Sequence, residues 1–149
     1  MNRLQHILLI EDNTNDIELT LMVLQEFNLA NEIIVLQDGN LAYEYLKTRA
    51  SKSNQDPLPI MVLLDLNLPG KDGREILKAM KEDEYLKSIP VIMLTSSREE
   101  ADFIESHRLG ADEYISKPLN FFQFAEIVAR LGCGWGIVTK PLPHHLNYR

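Results

Sequence analysis

Short apolar runs alternate along the chain with longer amphipathic segments, and this alternation limits the fold more than any other feature. An apolar run of about four or five residues predicts a strand covered on both faces, because a half-exposed strand alternates apolar with polar residues. Strands of this kind separated by helical segments predict an α/β domain, in which a parallel sheet lies between two helical layers. The five predicted strands comprise residues 7–10, 33–36, 60–64, 91–94 and a weaker run at 114–115.

The segments between the strands carry apolar residues at the spacing of one helix face. The polar connection at 48–59 ends in prolines and is predicted to be loop. Three glycines from Gly132 onwards end the last helix, so we predict a domain over residues 1–131 and a tail over 132–149. The inner residues of the five predicted helices are Ile17, Leu21, Leu24 and Phe27; Leu41, Tyr45 and Leu46; Ile76, Leu77 and Met80; Phe103, Ile104 and His107; and Phe121, Phe124, Val128 and Leu131.

Length, charge and cysteine content exclude several classes of protein. The chain has 149 residues and a net charge of -7, so we expect one domain that does not bind the backbone of nucleic acids, which requires clustered Lys and Arg. The single cysteine, Cys133, excludes an intramolecular disulfide framework. No apolar run approaches the roughly 20 residues of a membrane span, and we expect a cytoplasmic location.

Polar residues follow four of the predicted strands at the point where each strand ends. Because the carboxyl ends of parallel strands meet at one edge of the sheet, and ligands bind beyond that edge, we expect these side chains to lie close together. They are Glu11 and Asp12 after the first strand, Asp65 and Asn67 after the third, Thr95 and Ser96 after the fourth, and Lys117 after the fifth.

Converging carboxylates repel each other and require either a shared proton or a bound cation. A donor set made only of oxygens suits a hard ion such as Mg²⁺, and a lysine and a hydroxyl nearby suit the oxygens of a phosphoryl group. In such a site Asp65 is placed to act as a carboxylate nucleophile and form an aspartyl phosphate. Each residue alone is better explained by an ordinary helix cap or turn, but the four strand ends together favour a site.

The same residues, in the same order, resemble the receiver domain of two-component response regulators. The resemblance rests on the acidic pair at 11–12, the run Leu-Asp-Leu-Asn-Leu-Pro-Gly-Lys-Asp-Gly at 64–73, Thr95 with Ser96, and Lys117 with Pro118. It covers residues from about 5 to 131. It implies a flavodoxin-like, doubly wound (βα)5 fold, which is a three-layer sandwich around a five-stranded parallel sheet in the order 2-1-3-4-5.

The resemblance also implies a role for each residue of the site. Asp65 is the expected phosphoacceptor, which attacks a phosphohistidine of a sensor histidine kinase. Asp12, Asp65 and the backbone carbonyl of Asn67 are the expected Mg²⁺ ligands, and Glu11 is expected to act through water. Lys117 is expected to pair with the phosphoryl group.

Two further residues form the conformational switch that the resemblance implies. Thr95 would turn its hydroxyl onto the phosphoryl group, and Tyr114, three residues before the lysine, would then swing inward. The small Ser96 leaves room for the phosphoryl group. The Lys117–Pro118 peptide bond is expected to be cis, as it is in the family.

The connection at 48–59, the run at 65–75 and a tail containing Trp135 resemble the single-domain regulators partnered with phytochromes. This resemblance implies a phytochrome as the sensor kinase, an output through contacts with a downstream protein, and a homodimer. Two interpretations of the tail remain open. In one, the tail contacts the second copy of the homodimer through Trp135, Ile137 and Val138; in the other, it folds back on its own domain or is disordered. The surface expected to dock the kinase contains Leu19, Met22, Val23, Leu119, Asn120 and Phe121, and packing in the core is the alternative for its apolar residues, above all for Phe121.

Two other functions share part of this pattern. A small phosphatase of the haloacid dehalogenase type also uses an aspartate nucleophile, but it requires a second aspartate two residues later, where this chain has Asn67. A binding module that has the fold without the phosphorylation is the other alternative, and the presence of Asp12, Asp65, Thr95 and Lys117 disfavours it. We therefore expect a signalling domain and not an enzyme.

Overall fold

The computed structural model describes residues 4–51, 56–96 and 110–132, together with Ile137 and Lys140. Its strands form one parallel sheet in the order β2-β1-β3-β4-β5, which confirms the predicted doubly wound α/β fold. The strands are β1 (Ile7–Ile10), β2 (Ile33–Leu36), β3 (Met61–Asp65), β4 (Val91–Thr95) and β5 (Glu113–Ser116). The described helices are α1 (Thr14–Glu26), α2 (Gly39–Arg49), α3 (Gly73–Glu82) and α4 (Phe121–Leu131).

The helix predicted around Phe103, Ile104 and His107 lies outside the described residues, so α4 is the helix predicted as the fifth. None of the described helices has the length and hydropathy needed to cross a membrane. Each begins after an asparagine or aspartate that accepts a hydrogen bond from an amide of the first turn, which otherwise has no partner within the helix. These N-cap residues are Asn13, Asp38, Asp72 and Asn120.

Both faces of the sheet are covered, because successive residues of the central strands point to opposite sides and nearly all of them are apolar. The core beneath α2 and α3 includes Leu8, Ile10, Val62, Leu64, Ala42, Leu46, Ile76 and Leu77. The core beneath α1 and α4 includes Ile7, Leu9, Met61, Leu63, Ile17, Leu24, Phe124 and Ile127. The predicted three-layer arrangement is therefore confirmed for the described residues.

The structure differs from the prediction at the ends of strands and on one helix face. β3 and β4 each end one residue later than predicted, so that Asp65 and Thr95 lie within the sheet. The prediction of Leu41 as an inner residue of α2 is wrong, since its surface is 60% exposed. This helix buries Ala42 and Leu46, which share one face at a spacing of four residues, and the neighbouring Leu41 is rotated away from the sheet.

Two residues of the tail contact the domain of the same chain. Ile137 packs against the core beneath α1 and α4. The Lys140 amide donates a hydrogen bond to the Asn28 carbonyl (2.7 Å), and the Asn28 side chain donates one to the Lys140 carbonyl (3.0 Å). These contacts agree with a tail that folds back on its own domain. Trp135 and Val138 lie outside the described residues, and dimerisation through the tail stays a prediction.

Gly73 lies at the turn that leads from β3 into α3. Its amide donates a hydrogen bond to the Leu66 carbonyl (2.9 Å). A Cβ atom at this position would lie 2.3 Å from the Asp65 carbonyl oxygen and 2.8 Å from Leu66 Cα. The chain therefore requires a residue without a side chain where it returns against the end of β3.

Substituting Gly73→Ala is expected to lower the free energy of unfolding by about 3 kcal/mol, because the added methyl group must displace backbone atoms. Gly132→Ala is the matched control, since a Cβ there meets nothing within 4 Å and only its φ of 70° opposes the substitution. Its expected loss is about 1 kcal/mol. Denaturant titration measures both variants, and equal losses would contradict the packing argument.

Candidate functional site

The carboxyl ends of β1 and β3 lie side by side at the centre of the sheet. Ile10 pairs with Leu64, so Glu11 and Asp12, which follow β1, lie beside Asp65 at the end of β3. One carboxylate oxygen from each of these three acids lies within 4.8 Å of the others. The strand order reverses between β1 and β3, and the crevice beyond such a reversal is where ligands bind in this class of sheet.

Two of the three carboxylates are buried. The exposed surface is 0% for Glu11 and 3% for Asp65, whereas Asp12 is exposed at the rim. Burial raises the pKa of Glu11 from 4.5 to about 7 against the lowering effect of Lys117, and the charge of Asp65 adds to the rise. Burial likewise raises the pKa of Asp65, although Lys117 opposes this rise. A cation bound between these carboxylates would stabilise their ionised forms.

The Lys117 ammonium lies among three carboxylates. Its Nζ atom is 2.8 Å from Glu11 Oε2, 3.0 Å from Asp16 Oδ2 and 3.2 Å from Asp65 Oδ1. Burial acts to lower the pKa of Lys117, but the contacts with Glu11 and Asp16 outweigh it, so that the pKa lies above its ordinary value. A permanent positive charge is therefore held beside the Asp65 carboxylate at neutral pH.

Asp16 was not among the residues predicted from the sequence. It lies in the first turn of α1, where its amide donates a hydrogen bond to the side chain of the N-cap residue Asn13 (2.9 Å). The Asn13 amide in turn donates to Glu11 Oε1 (3.1 Å). Asn13 therefore contacts the Glu11 carboxylate through its amide and the Asp16 backbone through its side chain. The sequence signal was an acidic residue in the first helical turn, a position that the helix dipole favours without any ligand.

The two predicted switch residues lie on adjacent strands. Thr95 is buried at the end of β4, and its hydroxyl donates a long hydrogen bond to the Ile115 carbonyl on β5 (3.4 Å). Tyr114, the residue before Ile115, is half-buried and packs against the core beneath α2 and α3. The threonine hydroxyl is thus bound to the strand that carries the tyrosine.

Short turns hold Asp65 and Lys117 at the ends of their strands. The Asn67 amide approaches Asp65 Oδ1 at 3.4 Å, and the Asn67 side chain is exposed. The Lys117 amide donates to the Thr95 carbonyl (2.7 Å), which continues the pairing of β5 with β4. The Lys117–Pro118 peptide bond is cis, which confirms that prediction.

A family model of the response regulator receiver domain matches residues 7–130. The chain belongs to this family. The match spans all five strands and every residue of the site from Glu11 to Lys117. The predicted resemblance is thereby confirmed, and the chain is a receiver domain and not a member of the phosphatase group considered above.

Three relatives show where the chain lies within the receiver family. The response regulator Rcp1 of Synechocystis sp. is 39% identical over 137 residues, which are 92% of each chain. The Mn²⁺-bound structure of Rcp1 has a TM-score of 0.65 and 38% identity, and the match covers 93% of this chain and 99% of that one. The bacteriophytochrome response regulator RtBRR is 43% identical, with a TM-score of 0.81 over 95% of this chain and 86% of that one. The phosphorylated cyanobacterial phytochrome response regulator RcpA is 38% identical, with a TM-score of 0.68 over 89% and 94%. The receiver is therefore similar to regulators associated with phytochromes.

Proposed function

We propose that the chain accepts a phosphoryl group on Asp65 from a sensor histidine kinase in a Mg²⁺-dependent reaction. The observation that carries the proposal is the position of Asp65, whose buried carboxylate lies 3.2 Å from Lys117 Nζ and close to the oxygens of Glu11 and Asp12. Transfer of a phosphoryl group depends mainly on positioning and on compensation of negative charge. These residues supply a nucleophile, a fixed cation and a set of oxygen donors.

The acidic cluster fits a hard divalent cation. All its donors are oxygens, and two of its carboxyls have pKa values raised by burial, so that a cation would stabilise them. Asp12, Asp65 and the backbone carbonyl of Asn67 would hold Mg²⁺ directly, and Glu11 would act through water. When bound, Mg²⁺ neutralises charge on the carboxylates and on the phosphoryl oxygens. The relative Rcp1 has a Mn²⁺-bound form, which supports this assignment.

Each residue of the site has its own role in the proposed phosphoryl transfer. A carboxylate oxygen of Asp65 attacks the phosphorus atom of a phosphohistidine, the phosphorus–nitrogen bond breaks, and its electrons return to the imidazole. The Lys117 ammonium stabilises the negative charge on the transferred group. Asn67 cannot ionise, so it offers no general base for rapid hydrolysis of the aspartyl phosphate. The product therefore persists as a signal, and a downstream protein reads it.

The switch is proposed to operate through Thr95 and Tyr114. The bond from the Thr95 hydroxyl to the Ile115 carbonyl is 3.4 Å long and therefore weak, so little opposes rotation of the hydroxyl onto a phosphoryl group. This rotation would vacate space beside β5. Tyr114 is half-buried on the same strand and would move inward, which changes the surface that a partner contacts.

The proposed kinase is a phytochrome, because the similar regulators RtBRR and RcpA are phytochrome response regulators. Exposed apolar residues on α1 and α4 suit such a partner: Leu19 and Met22 are exposed, as is Phe122, with 78% of its surface exposed. Leu119, which was predicted for this surface, is instead buried in the core beneath α1 and α4. A homodimer and a cytoplasmic location complete the proposal.

Incubation of the wild-type chain with acetyl phosphate and Mg²⁺ is expected to add one phosphoryl group, which intact-mass spectrometry detects. Removal of Mg²⁺ with EDTA is expected to abolish the adduct, because the carboxylates and the donor phosphate then repel each other. The second stage replaces acetyl phosphate with an autophosphorylated phytochrome kinase. Absence of the adduct in the first stage would refute the proposal, as would an adduct that forms equally well in EDTA.

A further inference from the structure

We propose that Asp16 is a positioning residue, which retains Lys117 beside the phosphoacceptor when Mg²⁺ engages the other carboxylates that Lys117 contacts. The inference rests on the proposed function, because it assumes that Mg²⁺ binds the cluster of Glu11, Asp12 and Asp65. It adds a residue and a role that the resemblance to receiver domains did not imply.

The contacts of Lys117 divide into two kinds. Glu11 and Asp65, at 2.8 Å and 3.2 Å from Nζ, belong to the oxygen cluster that fits a cation. Asp16, at 3.0 Å, lies outside that cluster. An ammonium and a divalent cation repel each other and compete for the same carboxylate oxygens. Asp16 is therefore the contact that Lys117 is able to keep once Mg²⁺ is bound.

The position of Asp16 is well defined by its surroundings. Its backbone amide donates a hydrogen bond to the side chain of the cap residue Asn13, whose own amide donates to Glu11, so Asp16 and Glu11 are linked through one turn at the start of α1. The side chain of Asp16 is 30% exposed and that of Lys117 only 13% exposed. The ion pair between them is thus shielded from solvent on the side of the lysine, which strengthens it relative to a pair on the surface.

Loss of the Asp16 carboxylate would leave Lys117 with only the two partners that Mg²⁺ also requires. Lys117 would then bind those carboxylates more tightly and oppose entry of the metal ion. The expected consequence is weaker Mg²⁺ binding. The negative charge of Asp16 could also attract Mg²⁺ directly, and its loss would weaken Mg²⁺ binding in the same way. The experiment must therefore distinguish this direct effect from an effect through Lys117.

The experiment is a double-mutant cycle on the dissociation constant for Mg²⁺, measured by isothermal titration calorimetry. Asp16→Asn is expected to weaken Mg²⁺ binding about three- to tenfold in the wild-type background. Glu18→Gln, which removes an exposed carboxylate two residues along the same helix, is the matched control and is expected to change the constant less than about twofold. In a Lys117→Met background, the effect of Asp16→Asn is expected to shrink to that of the control.

An Asp16→Asn effect that is as large or larger in the Lys117→Met background would overturn the inference, because Asp16 would then act on Mg²⁺ by its own charge. Equal affinity of the wild type and Asp16→Asn would also overturn it. Asp16→Glu preserves a carboxylate and is expected to bind Mg²⁺ within about twofold of the wild type. Failure of the wild type itself to bind Mg²⁺ would refute the metal site of the proposed function, and so is distinguishable from failure of the role of Asp16.

Discussion

Asp65→Asn is expected to abolish the phosphoryl adduct completely. The amide has nearly the same shape as the carboxylate, but it carries no negative charge and is a poor nucleophile towards phosphorus. Intact-mass spectrometry after incubation with acetyl phosphate and Mg²⁺ measures the result. Glu18→Gln is the control, since it removes one negative charge from the exposed surface of α1 and is expected to leave the adduct unchanged. An undiminished adduct in Asp65→Asn would assign the phosphoacceptor elsewhere.

The same variant separates loss of chemistry from loss of fold. Burial raises the pKa of Asp65, which means that the folded state disfavours its ionised form. A neutral asparagine removes this penalty, while Lys117 retains Glu11 and Asp16 as partners. Asp65→Asn is therefore expected to melt at a higher temperature than the wild type at neutral pH without Mg²⁺. A clear fall in the melting midpoint would contradict the argument that these carboxylates are crowded.

Raising the pH from about 5 to about 8 without Mg²⁺ is expected to lower the free energy of unfolding by about 2–3 kcal/mol through Glu11 alone. The pKa of Glu11 is about 7 in the folded chain and 4.5 for an ordinary glutamate. Between these values the folded state binds more protons than the unfolded state, so stability falls as the pH rises. Above pH 7 Glu11 is ionised in both the folded and the unfolded state, so it no longer changes the stability. Urea titrations at a series of pH values measure this slope.

Glu11→Gln is the variant that isolates this titration from that of the other ionisable groups of the chain. The variant is expected to lose the part of the slope that lies between pH 4.5 and about 7. Saturating Mg²⁺ is expected to restore stability to the wild type at high pH, because a ligand that binds only the folded state stabilises it. Parallel slopes in the wild type and in Glu11→Gln would show that Glu11 is not the group responsible.

The strand pattern made much of the site predictable. A continuous apolar strand such as β1 or β3 is covered on both faces, and the polar residue that ends it must lie at the carboxyl edge of the sheet. This pattern groups Glu11, Asp12 and Asp65, and the structure places one carboxylate oxygen of each within 4.8 Å of the others. Lys117 was assigned to the same edge and lies within 3.2 Å of Asp65.

Properties that depend on one helix face or one rotamer were not predictable in this way. Leu41 and Ala42 are both apolar, and only the packing of α2 against the sheet decides that the alanine is buried. Phe121 packs against Phe27 with ring centroids 4.4 Å apart, whereas its neighbour Phe122 is exposed. A periodic pattern locates the buried face of a helix only to within about one residue. The packing of the neighbouring elements decides which of two adjacent apolar residues is buried.

By itself, the sequence determined the order along the chain of the strands and helices that the structure describes, the edge of the sheet where the site lies, and the family, because each depends on local residue types and their spacing. Only the tertiary structure decided that Asp16 shares Lys117 with Glu11 and Asp65, and that the Thr95 hydroxyl is bonded to β5. The physical reason is distance along the chain. Asp16 and Lys117 are 101 residues apart along the chain. The ion pair between them forms only when the folded sheet places the carboxyl ends of β1 and β5 at the same edge.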